Sequence, residues 1–109
     1  MATLFKNAVI KNIGTKPVKI LETDASTRTT VIGLSLTNLT DEFLYCSVTL
    51  QDDTSVTGFY LKDTVVPANT SLRAVSTGEK FIVAPSNILY VQSSIEDSVD
   101  AILSYVEVT

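Results

Sequence analysis

The residues of this chain that could do chemistry are few, and most of them are carboxylates. Asp52 and Asp53 stand together in the loop "DDTSV", while Glu96, Asp97 and Asp100 surround the turn "IEDS". A glycosidase would need two such groups flanking a cleft about 5–10 Å apart. No cleft is implied here, and with no Trp the usual aromatic platform is missing as well. Adjacent Asp residues between strands are ordinary turn formers that hold their own backbone. There is no His, and Cys46 is the only cysteine, so neither a Ser-His-Asp nor a Cys-His arrangement can be assembled. The same shortage excludes the usual zinc sites. The four glycines are isolated at positions 14, 33, 58 and 78, which is no phosphate-binding loop. Oxygen-rich loops can gather calcium, but the D-x-[DN]-x-[DN]-G spacing is absent. The expectation is therefore no enzyme, no cofactor and no metal.

Composition narrows the remaining classes. The sequence has 109 residues, a net charge of −4, 45% hydrophobic residues and 18% charged ones. That describes one folded domain spanning 1–109 rather than a disordered chain. The eight basic residues are scattered, so no surface for phosphates is expected and nucleic acid is not a partner. The start "MATLFKNAVIKN" lacks the pattern of a signal peptide, and no run approaches a membrane span. Cytoplasmic synthesis is expected, with Cys46 a small buried hydrophobe and the sequons at Asn38 and Asn69 unglycosylated.

The elements that would carry any function are strands. About a third of the residues are Val, Ile or Thr, types that suit a pleated, half-buried surface. Turn signals punctuate roughly nine short segments at 8–12-residue spacing, the pattern of an all-β antiparallel sandwich, jelly-roll or immunoglobulin-like. In "TTVIGLSLTN" we place Ile32, Leu34 and Leu36 on the core side, with Gly33 marking a bulge or a close neighbour. In "FLYCSVTLQ" Leu44, Cys46, Val48 and Leu50 point inward. A short polar loop joins these two segments, which predicts an antiparallel hairpin. Pro67 belongs at a strand end or on an edge.

The last strand, "VDAILSYVEV", is apolar on both sides. Val99, Ala101, Leu103 and Tyr105 share one side, and Ile102, Val106 and Val108 the other. "NILYVQ" is similarly two-faced, with Ile88 and Tyr90 against Leu89 and Val91. A two-layer sandwich has only two inner faces, so a neighbouring molecule is the expected cover for the second side. Tyr45, Tyr90, Ile102, Tyr105 and Val106 are the candidate assembly interface. Phe43, Phe59 and Tyr60 could extend an aromatic surface for peptide or carbohydrate.

The stretch from Thr29 to Thr109 resembles small virion structural proteins of tailed bacteriophages. The resemblance rests on the strand "TTVIGLSLTN" before a hairpin, "VPANTSL" (Val66–Leu72), "KFIV" (Lys80–Val83), "NILYVQSS" (Asn87–Ser94) and "SVDAILSYVE" (Ser98–Glu107). It departs at "APSN", where that group usually shows "AGD", and it leaves residues 1–27 outside as a more variable part. The resemblance implies a β-sandwich that assembles in the host cytoplasm with copies of itself and with a major capsid, neck or tail protein. A capsid decoration or cement role heads the expectations. A neck, collar, tail or baseplate role and a receptor- or carbohydrate-binding module are the alternatives. No catalytic residue is implied.

Overall fold

The computed structural model describes residues 2–76 and 78–109. Nine strands follow one another: β1 (Thr3–Ile13), β2 (Val18–Glu22), β3 (Arg28–Asn38), β4 (Leu44–Gln51), β5 (Thr57–Val66), β6 (Ser71–Val75), β7 (Phe81–Val83), β8 (Ile88–Ser93) and β9 (Val99–Val108). They form two antiparallel sheets. The first has the order β1-β9-β3-β6 with β7 also on β3, and the second the order β2-β8-β4-β5.

The pairing is nested. β4 pairs with β5, β3 with β6 and β7, β2 with β8, and β1 with β9. The chain is thus a long hairpin, bent at the β4–β5 tip and wrapped so that β9 also meets β3 and β8 also meets β4. That winding is a jelly roll. β6 and β7 share one lane beside β3, so nine segments fill eight positions.

One buried cluster lies between the sheets. Leu34, Leu36, Val99, Ala101 and Leu103 of the first sheet face Leu44, Cys46, Val48, Leu89 and Val91 of the second. Each such Leu or Val, fully buried, contributes about 1.5–3 kcal/mol relative to exposure.

Two local expectations are corrected. β3 and β4 do not pair, because they belong to different sheets. The segment between them arches across the sandwich around Asn38, which is almost completely buried. Its Nδ2 donates to the carbonyls of Glu42, Val66 and Pro67, and its Oδ1 accepts from the Thr40 N–H and hydroxyl. A short polar loop between alternating strands fits an arch as well as a hairpin, since both inward rows reach the same core.

The second correction concerns parity. The register of β3 on β9 shifts between Val31 and Gly33, the bulge that Gly33 signals. The extra residue changes which side each neighbour takes. Val31 is consequently fully buried and Ile32 41% exposed, while Leu34 and Leu36 remain inward. β4 keeps its expected phase. β5 ends at Val66, just before Pro67.

Candidate assembly surfaces

Among the described residues the groups that could do chemistry are each engaged in local structure. Cys46 is buried, and loss of hydration pushes its thiol pKa up to about 11. Asp52 closes its own turn: its Oδ1 accepts from the Thr54 N–H and hydroxyl and from the Val56 N–H. Those bonds hold the carboxyl below its ordinary range. Glu96 likewise accepts from the Thr15 N–H and hydroxyl, which lowers its pKa. Asp100 accepts from the Asn12 N–H. Among the described residues no three His, Cys, Asp or Glu side chains stand close enough to hold a metal.

The informative surface is the outer face of the first sheet. In an antiparallel ladder, residues directly opposite one another share a side. Phe5 faces Val106, which faces Thr30, which faces Ile82. Four residues along β1, Val9 faces Ile102, which faces Ser35. Exposure reaches 78% at Phe5, 62% at Val9, 59% at Ile82 and 50% at Ile102. Ile32, lifted by the bulge, adds to the same side of β3. Two mainly apolar rows therefore run over part of the sheet, one interrupted at Thr30 and the other ending at Ser35 and Arg73, with the polar row Asn7–Ser104–Gly33 between them.

The candidate residues named from sequence divide among three places. Ile102 and Val106 come together on this outer face. Tyr45 and Tyr90 lie on the outer side of the second sheet, where Tyr45 is opposite Val65 and Tyr90 is opposite Thr49. There Phe43 meets Tyr45 edge to face at 5.8 Å, and Lys62 sits 5.4 Å from the Phe59 ring centre. Tyr105 shares the side of Leu103 and packs against the buried cluster, so the structure assigns it to the core side. Tyr60 also packs there, 4.5 Å from Phe81 between ring centres.

Sequence reasoning missed Phe5, Val9 and Ile82. Phe5 and Val9 share strand parity, so the signal existed within β1. What it lacked was the neighbour: β1 gains its meaning from β9, at the other end of the chain.

No protein-family model matches the sequence, and no curated protein does. Solved structures do share the fold. A chain from Bacillus endospore appendages, described as disulfide-linked pili, superposes with a TM-score of 0.59 at 9% identity, covering 98% of this chain and 88% of that one. A chain of the acidic stable capsid of Helicobacter pylori bacteriophage KHP30 gives 0.55 at 11% identity, covering 100% and 94%. A chain of the T13 IBDV viral particle gives 0.55 at 8% identity, covering 96% of this chain but only 30% of its own length. At these identities the shared property is the jelly roll itself.

Proposed function

We propose that this chain is a non-enzymatic structural protein of a tailed-phage virion, assembled in the host cytoplasm as a capsid decoration or cement subunit. The observation that carries the reading is the outer face of the first sheet, where its own chain leaves Phe5, Val9, Ile82 and Ile102 exposed. Exposed apolar groups gathered on one face of a sheet mark the kind of surface that partners cover. Burying it against a neighbour gains up to roughly 25 cal/mol per Å², less the cost of association. Weak contacts suffice where each subunit engages several neighbours at once. The fold supports the reading, because jelly rolls of similar length occur in a phage capsid and in a pilus, both assemblies of many copies. The pilus chemistry does not carry over through Cys46, which is buried.

Imaging an intact particle at residue resolution tests this. The expected result is regular copies on the head with Phe5, Val9, Ile102 and Val106 covered by a neighbour. Copies confined to the neck or tail would move the assignment along the particle. Absence from the particle, or saturable binding on a glycan array by a free monomer, would replace it with a binding module.

A further inference from the structure

We propose that the open edge of β1 pairs with β1 of a second copy, antiparallel about a two-fold axis at Asn7, joining two first sheets into one. This gives the self-assembling subunit proposed above a specific contact, and it rests on that reading.

The two sheets have four edges, and three are blunted in the ways proteins discourage pairing. β2 has five residues, with a register shift after Lys19. β5 carries two register shifts and the left-handed Asp63 at φ 48°. The lane of β6 and β7 is broken into runs of five and three residues. β1 is different. From Thr3 to Ile10 it follows β9 residue for residue, and the first irregularity comes between Ile10 and Ile13.

Charges usually guard such an edge, and here they are turned away. Lys6 Nζ lies 2.9 Å from Glu107, and Lys11 Nζ 3.9 Å from Asp100, both carboxylates being on β9. Each edge lysine therefore already has a counter-charge on its own copy.

The sequence of β1 also argues for a second copy as occupant. About Asn7 the large apolar positions of the strand match their own reverse: Phe5 meets the second copy's Val9 and Leu4 meets the second copy's Ile10, while Lys6 meets the second copy's small Ala8 and no like charge. Because the axis passes through a residue, outward side chains stay opposite outward ones. Phe5 and Val9 thus join the apolar rows of the two copies. A centre at Lys6 would instead set two lysines face to face. A centre between Lys6 and Asn7 would set outward residues against inward ones.

Cysteine cross-linking of the full chain reads this register. Asn7 is exposed, and directly opposed residues lie about 4.5–5.5 Å apart at Cα, within disulfide reach. Under mild oxidation Asn7→Cys should become a covalent dimer, while Phe5→Cys alone remains uncross-linked and Phe5→Cys/Val9→Cys links again. By sedimentation, Phe5→Glu should weaken dimerisation about tenfold or more, and Phe5→Glu/Val9→Lys should recover most of the loss. If Asn7→Cys forms no covalent dimer, its new thiol staying free like that of the buried Cys46, while the wild type still assembles, the edge contact falls and the structural role stands. Equal cross-linking of Asn7→Cys and Phe5→Cys, or linkage only to a different virion protein, also overturns the contact. A wild type that stays monomeric at every concentration and in the particle overturns both readings.

Discussion

Val9 and Ile102 face each other across the β1–β9 ladder, one from near the start of the chain and one from near its end, and both stand more than half or fully half exposed, at 62% and 50%. The second side of the terminal strand is therefore open at Ile102, while Val106 and Val108 on the same side are half-buried. That relationship separates residues that hold the fold from residues that offer it to others.

Leu36 and Ile102 should separate those roles by experiment. Leu36→Asp places an unpaired charge at a fully buried position and should abolish folding, seen as loss of the cooperative thermal transition. Ile102→Ser should keep the transition within about 0.5 kcal/mol and reduce self-association. Tyr105→Ala, on the core side, should destabilise the monomer by about 2–4 kcal/mol.

Asn38 should be the most sensitive polar residue. Asn38→Ala leaves the carbonyls of Glu42, Val66 and Pro67 without the donor that the arch supplies. A loss of about 2–4 kcal/mol by urea denaturation is expected, because the buried Val66 carbonyl and the part-buried Pro67 carbonyl lose this donor together, while the Glu42 carbonyl keeps the Thr40 hydroxyl.

Ser86 holds φ at 61°, in the left-handed region where L side chains are strained. Its N–H donates to the carbonyl of Asp24, and neighbouring Asn87 and Thr23 bond each other, so the turn is fixed around it. Ser86→Gly should raise stability by about 0.5–1 kcal/mol, a gain limited by the added freedom of the unfolded chain. A fall in melting temperature would count against the strain argument.

Acid should loosen the loops before the sheets. Asp24, Asp52 and Glu96 are held below their ordinary values of 3.8, 3.8 and 4.5, chiefly by hydroxyl donors from Thr27, Thr54 and Thr15. A carboxyl depressed in the folded state adds stability that is fully present above its ordinary value and is lost as pH falls through the folded one. Melting temperature should therefore hold steady above pH 5 and drop below about pH 4. The Asp24→Asn/Asp52→Asn/Glu96→Gln variant should show a shallower drop over that window.

Sequence alone determined the class of structure and most of the core. β-branched content and period-two alternation dictate strands, and the inward phase of β4, the bulge at Gly33 and the strand end before Pro67 all follow from local chemistry. The two-sided apolar character of β9 was visible too, since it needs only a count along one strand. Tertiary structure decided what touches what. Whether the segment after Asn38 turns back or arches over depends on donors and acceptors in β5 and Pro67, far along the chain. Phe5, Val9 and Ile82 became part of one surface only when β1 and β7 took their places in the β9 and β3 ladders. Alternation is a property of one strand and survives translation into sequence. Adjacency is a property of pairs distant in the chain, set by how a bent hairpin closes around its core.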